Sequence, residues 1–164
     1  HLFSQGAATT NTYINWINAN GTVGSIAATG SGVAYNTSSD YRLKEDWQLI
    51  SAASDRVLAL KPINFAWIVD GSRVDGFLAH ELAEVVPEAV TGTKDAMMDE
   101  EYEVTAAVLD ADGMVVTEAV MGTRSVPDYQ GIDQSKLVPL LTAALQEALN
   151  KIEAMEVRLS ALEG

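Results

Sequence analysis

Ser39 and Lys44 stand five residues apart in the run Ser39-Asp40-Tyr41-Arg42-Leu43-Lys44. A hydroxyl beside an amine is a pair able to cut a peptide bond. A neutral lysine removes the hydroxyl proton while the serine oxygen attacks a carbonyl carbon. The lysine must then be held largely neutral, which takes burial and the absence of a close carboxylate to bring its pKa down from about 10.4. Spacing alone does not single the pair out. A second reading makes Ser39 or Asp40 a cap for a following helix and Lys44 a solvated side chain. What marks the stretch is its position. Residues 1–38 contain no Asp, Glu, Lys or Arg, so every charged side chain lies from Asp40 onward. Two different kinds of protein meet at this junction.

Other chemistry is sparse. There is no cysteine, which removes disulfides, thiolate metal sites and cysteine nucleophiles and fits a reducing cytosol. With only His1 and His80 to offer imidazole, a His-rich metal site within one chain is not expected. Asp110-Ala111-Asp112-Gly113 has the opening of a calcium loop, but the later ligands and the closing Glu are missing, and turn geometry explains it better. The acidic run Asp95, Asp99, Glu100, Glu101 and Glu103 reads as a solvated loop. His80-Glu81 beside Gly76-Phe77 is either a polar pair near a site or a structural histidine at a helix start. No phosphate loop, zinc spacing or nucleophile elbow is present. The formal charge of -13 argues against nucleic acid or an anionic membrane as partner. No apolar run approaches the roughly 20 residues of a membrane span, and the start does not resemble a signal peptide. Beginning at His1 rather than Met, the chain reads as part of a longer one.

The elements that must position these groups fall into three segments. Residues 1–38 hold many Ser, Thr, Asn and Gly, with polar and apolar residues alternating in Tyr13-Ile14-Asn15-Trp16-Ile17. That is strand periodicity with frequent turns, carrying too little apolar side chain for a core of its own, so pairing with other chains is expected. A flexible linker is the other reading of this composition. From 39 to 131 the pattern predicts a mixed α/β domain. A helix is expected over Glu45–Leu60 from Trp47, Ile50, Ala53, Val57 and Leu60, ended by Pro62. A strand follows over Ile63–Val69, closed by Asp70-Gly71. A short helix is expected over Ala79–Val86, and a hairpin from Tyr102–Leu109 and Met114–Met121.

Residues 132–164 carry the cleanest period. Leu141, Leu145, Ala148, Ile152, Met155, Leu159 and Leu162 alternate steps of four and three, a heptad seam. With Leu145, Ile152 and Leu159 at a positions, Lys151 and Arg158 fall at g, and Glu156 and Glu163 at e. In a parallel coiled coil each g meets the following e of the neighbouring chain with opposite sign. A lone amphipathic helix packed on the domain does not predict that charge register. Pro139 either kinks or starts this helix.

Together these blocks resemble the C-terminal intramolecular chaperone, or auto-processing peptidase, domain of bacteriophage tailspikes and tail fibres of the endosialidase type. The self-cleaving part of the myelin regulatory factor is similar. The resemblance rests on Ser39 to Lys44, on Pro62 with Phe65 and Trp67, on Gly76-Phe77-Leu78-Ala79-His80-Glu81-Leu82 followed by Pro87, and on Asp133 to Leu141 leading into Gln146-Glu147. It covers about residues 37–164. The resemblance implies an α+β homotrimer in which a β-rich fibre stub (1–38) precedes a mixed α/β chaperone domain with a protruding hairpin (39–131) and a parallel coiled-coil helix (132–164). It implies a single-turnover serine endopeptidase that cuts between Ser38 and Ser39. Ser39 would be the nucleophile and Lys44 the base, with Asp40 and Arg42 shaping the site and His80 assisting. The attack can come from the same chain or from a neighbouring subunit. The partners implied are two further copies of the chain and the upstream β fibre of the same polypeptide, with no cofactor and no metal. The place is the host cytoplasm during virion assembly. The competing expectation is a fibre-tip or adhesin domain that trimerises without proteolysis. A glycan depolymerase finds no catalytic carboxylate pair here.

Overall fold

A computed structural model of the chain describes residues 11–28 and 30–163, and it divides into two compact units, 1–49 and 50–164. In the first, strands β1 (Asn11–Asn18), β2 (Gly21–Ala28) and β3 (Val33–Thr37) form an antiparallel sheet in that order. The register sets Trp16 opposite Gly24 and Gly24 opposite Thr37, and Ile14 opposite Ile26 and Ile26 opposite Tyr35. Because successive residues point to opposite faces, Ile14, Trp16, Ile26 and Tyr35 share one face. Asn15, Ser25 and Asn36 share the other, where Asn36 Nδ2 donates to Ser25 Oγ at 3.2 Å. Ala27 is the one buried hydrophobic of this unit among the described residues. The alternation expected from sequence is therefore strand structure rather than linker. Trp16 and Tyr35 flank a shallow apolar cleft of about 320 Å³.

The second unit begins its regular structure with helix α1 (Ala53–Ala59). The helix expected over Glu45–Leu60 is thus confined to its second half. Asp46 and Ala52 have positive φ values of 47° and 50°, a left-handed backbone that stops an α-helix. Burial explains the division. Ala53 is fully buried with Val57 and Leu60 packed beside it, whereas Trp47 is 82% exposed and gains nothing from helical alignment. Strands β4 (Ile63–Ala66) and β5 (Arg73–Gly76) form a hairpin, so the strand expected to run to Val69 ends at Ala66 and the chain turns back. Asp70 Oδ1 fixes that turn by accepting from the Ser72 amide and hydroxyl. Phe65 and Trp67 meet edge to face at 5.0 Å. Gly76 lies close against Phe65, where a Cβ would stand 3.1 Å from the ring. Helix α2 (Ala79–Leu82) is shorter than expected, although turn hydrogen bonds continue to Val86.

A short ladder joins β6 (Val90–Thr91) to β11 (Gly131–Ile132). Between them the chain forms a long hairpin. Strand β7 (Met97–Thr105) pairs with β10 (Val120–Pro127), and β8 (Val108–Leu109) pairs with β9 (Val115–Thr117). The expected hairpin is present and starts earlier, because Asp99 to Glu103 lie in β7 rather than in a loop. Arg124 pairs with Glu100 at 2.6 Å and lies 5.2 Å over the Tyr102 ring. Opposite Tyr102 the space is tight, as a Cβ on Gly122 would stand 2.8 Å from Val104 Cγ2 and force that side chain to shift. Asp110 Oδ1 accepts from the amides of Asp112 and Met114, so the Asp-Ala-Asp-Gly segment is a turn with its first carboxylate engaged by backbone.

Helix α3 (Leu137–Glu163) closes the unit. Asp133 caps the preceding 3-10 turn (Gln134–Lys136) by accepting from the Ser135 amide and hydroxyl. Pro139 lies in the first turn of α3, where a missing N–H breaks no helical bond, so it opens the helix rather than kinking it. Leu137 and Leu140 join Ala53, Leu82, Val86 and Ala89 in the core, with Ala143 and Ala144 packed against them. Beyond Glu147 the helix leaves that core. Leu145, Ile152, Met155, Leu159 and Leu162 are exposed. No helix among the described residues is long and apolar enough to cross a membrane.

Candidate active site

The chain leaves β3 at Thr37, and the Ser38 amide still donates to the Val23 carbonyl of β2 at 3.1 Å. The next peptide bond therefore starts from a backbone held by the sheet. A single 3-10 turn, Tyr41–Leu43, follows immediately. Asp40 is its N-cap, accepting from the Arg42 amide at 2.8 Å, and the turn ends in an extended Lys44 whose amide donates to the Tyr41 carbonyl at 3.0 Å. This compact turn folds the chain back on itself. Lys44 Nζ thereby reaches Ser39 Oγ at 2.7 Å.

Arg42 answers the Asp40 carboxylate with a fork. Its Nε donates to Oδ1 at 3.0 Å and its Nη2 to Oδ2 at 2.8 Å. These side-chain bonds, then the Arg42 amide, and last the charge of Lys44 hold the Asp40 carboxyl below the usual carboxylate range, against a small opposing effect of desolvation. The same fork raises the Arg42 guanidinium above its ordinary value. Lys44 is in no ion pair among the described residues. Ser39 and Lys44 are exposed in the single chain and Asp40 is partly covered. Asp40 is thus a cap, but of a 3-10 turn rather than a helix, and the exposed Lys44 donates to Ser39.

His80 belongs to the second unit, where it opens α2 and lines a cleft of about 410 Å³ with Lys94, Asp95, Asp128 and Tyr129. Its neighbour Glu81 pairs with Lys61 at 3.3 Å. The seam residues Leu141, Leu145, Ala148, Ile152, Met155, Leu159 and Leu162 share α3, all exposed. Lys151, Glu156 and Arg158 lie on the same helix, and the side chain of Glu163 lies outside the described residues. No group of three or more His, Asp or Glu is placed to hold a metal among the described residues.

Residues 39–91 match a peptidase family model described as the chaperone of endosialidase. Over this segment the chain is similar to that family. The match begins at the residue of the Ser39–Lys44 contact and runs through both the Phe65–Trp67 pair and the Gly76–Leu82 block. Among solved structures, four chains match, one of them titled "Crystal structure of a novel intramolecular chaperon". That chain is 18% identical, with 69% of this chain and 99% of its own covered and a TM-score of 0.39. No curated protein matches the sequence.

One residue with a structural task, outside the matched segment, escaped sequence reasoning as more than part of a motif. Glu147 of α3 reaches back to α1, where Oε1 accepts from the Ala53 amide and Oε2 from the Ser54 amide, each at 2.9 Å, and from the Ser54 hydroxyl. Ala52 has no side chain to cap α1, so a carboxylate 93 and 94 residues away in sequence caps it instead. The Ser54 hydroxyl, then the two amides and finally Lys151 lower the Glu147 pKa to about 2. The signal available in sequence was a residue at position 52 that cannot cap, ahead of an apolar helix.

Proposed function

We propose that the chain is the intramolecular chaperone of a trimeric β fibre, and that it releases itself by cutting between Ser38 and Ser39. The single observation that carries the reading is the 2.7 Å contact of Lys44 Nζ with Ser39 Oγ, at the first residue of the family match and directly after a charge-free sheet.

Neutral Lys44 takes the Ser39 hydroxyl proton as Oγ bonds to the Ser38 carbonyl carbon. The tetrahedral adduct collapses as the Ser38–Ser39 C–N bond breaks, and the lysine ammonium returns its proton to the departing Ser39 nitrogen. An ester now joins Ser38 to Ser39 Oγ. Water adds to that ester, leaving a Ser38 carboxylate and a Ser39 with free amine and hydroxyl. Asp40 and Arg42 shape the turn, with His80 as an assisting residue. The exposure of Ser39 and Lys44 in one chain fits a site that is finished only when neighbouring copies close over it and exclude water.

Assembly supplies the reason for the device. Three chains must be registered before slow, non-local strand pairing can begin, and unregistered strands aggregate. A parallel coiled coil along the exposed seam of α3 brings the chain ends together at high effective concentration. Cleavage afterwards removes the template and leaves the fibre behind its unfolding barrier. The source is a bacteriophage tail fibre or tailspike, assembled in the host cytoplasm.

Denaturing electrophoresis of the expressed chain tests this. Two fragments are expected for the wild type and one intact band for Ser39→Ala and for Lys44→Ala. Cleavage surviving Ser39→Ala would remove the nucleophile. An uncut wild-type trimer would favour the second reading, a non-proteolytic fibre-tip or adhesin domain, to which the openness of the Ser39 turn in one chain also lends itself.

A further inference from the structure

We infer that Arg42 is a positioning residue for self-cleavage, which occupies the Asp40 carboxylate so that Lys44 is left to Ser39. The inference rests on the proposed role of Lys44 as base. It begins from a conflict in the sequence: the base lies four residues from a carboxylate, and a carboxylate beside a lysine stabilises the ammonium that cannot accept a proton.

The geometry resolves that conflict locally. Among the described residues, all three hydrogen bonds to the Asp40 carboxylate come from Arg42: its amide and Nε to Oδ1 at 2.8 and 3.0 Å, and Nη2 to Oδ2 at 2.8 Å. The 3-10 turn supplies the amide bond, and the planar guanidinium supplies a fork that an ammonium cannot match. Lys44 meanwhile donates to Ser39 Oγ at 2.7 Å. The charged or titratable groups around Lys44 in this turn are Asp40, Tyr41 and Arg42, with Glu45 and Asp46 next in the chain, and none of the carboxylates is ion-paired with it. An exposed pair such as Arg42–Asp40 adds little to stability, with 74% and 38% of the two side chains accessible. Its worth lies in the choice it imposes on the neighbouring lysine. A free Asp40, whose carboxylate already feels the Lys44 charge, would compete with Ser39 for that ammonium.

The test is the pH profile of cleavage in the full chain, unfolded in urea and transferred to buffers from about pH 6 to about pH 10, spanning the approach to the ordinary lysine value. Arg42→Gln is expected to cut about tenfold more slowly at neutral pH and to approach the wild-type rate at the alkaline end, since each unit of lysine pKa is a tenfold change in the neutral fraction. Adding Asp40→Asn, which keeps an oxygen to cap the turn but removes the charge, is expected to restore the neutral-pH rate. An Arg42→Gln profile identical to the wild type would overturn the inference. So would a uniform loss at every pH that Asp40→Asn does not rescue, which is the signature of a merely structural arginine. Failure of the underlying reading looks different: the wild type itself stays uncut, or Ser39→Ala is still cut.

Discussion

In residues 11–49 one hydrophobic side chain, Ala27, is buried, while Trp16, Val33 and Tyr35 stand at half exposure or more on the sheet that precedes Ser39. In residues 50–163 Ala53, Leu82, Val86, Ala89, Leu137 and Leu140 meet in one cluster and tie α1, α2 and the start of α3 together. The first unit holds the Ser39–Lys44 contact and little to stabilise itself; the second holds a core and a helix whose far half is uncovered. A sheet that buries so little gains little to offset the entropy of ordering its own chain, and under the proposed function other copies would supply the rest. A unit with a continuous core can fold first. That difference is the one a folding device and its client should show.

The sharpest way to break the comparison is to separate chemistry from stability. Ser39→Ala is expected to abolish cleavage outright and to leave the denaturant midpoint unchanged, because an exposed side chain outside any packed feature moves stability by no more than about 0.5 kcal/mol. Electrophoresis and urea unfolding of the same preparation read the two effects. A variant that lost both together would mean that the turn is part of the fold's foundation. Next in size, Ile152→Asp places a charge in the α3 seam and is expected to give monomers in sedimentation and to suppress cleavage with them. Monomers that still cut at the wild-type rate would show that the site is complete in one chain.

How far the sequence disclosed all this differs between the same two regions. The strand alternation in Tyr13 to Ile17 was legible because it depends on residues close in sequence, whereas Ser39 and Lys44 stood out only by their place at the charge boundary. The helix over Glu45–Leu60 was not legible, since its period was satisfied equally by residues that pack, Ala53 and Val57, and by Trp47, which does not. Only the tertiary partner decides between them, and that partner is α3. The turn after Ala66 was missed for a similar reason: Trp67-Ile68-Val69 is apolar enough to continue a strand, yet Asp70 closes the chain on Ser72. Within the 39–91 match, some motif residues have plain structural work, such as Gly76 against Phe65.

A core substitution tests the second unit alone. Leu82 is 2% exposed and shares one buried cluster with Ala53, Leu137 and Leu140. Leu82→Ala is expected to destabilise the folded chain by about 2–5 kcal/mol, lost transfer energy plus a cavity. Urea unfolding followed by far-ultraviolet circular dichroism measures it. If the second unit is the template, refolding and cleavage should slow together in this variant, whereas Val33→Ala on the exposed sheet face should cost the isolated monomer little.

The smallest effect is also the most specific to how α3 is joined to α1. Glu147 is depressed to about 2 in the folded chain from an ordinary value near 4.5, by the Ser54 hydroxyl first and then by the Ser54 and Ala53 amides. A carboxylate lowered by folding binds its proton more readily in the unfolded chain, so its contribution is present above the ordinary value and is lost as pH falls toward about 2. The unfolding midpoint of the wild type should therefore decline between about pH 5 and about pH 2. Glu147→Gln keeps the side-chain length and one acceptor oxygen but cannot titrate, so its midpoint should lie below the wild type at neutral pH and converge with it in acid. Asp40, Asp70 and Asp133 are lowered as well, so part of the acid decline must persist in the variant. Parallel curves at a constant offset would show that Glu147 acts by shape alone. Convergence would identify its charge as the latch that holds the N-terminus of α1 against α3, leaving the remainder of that helix free for its neighbours.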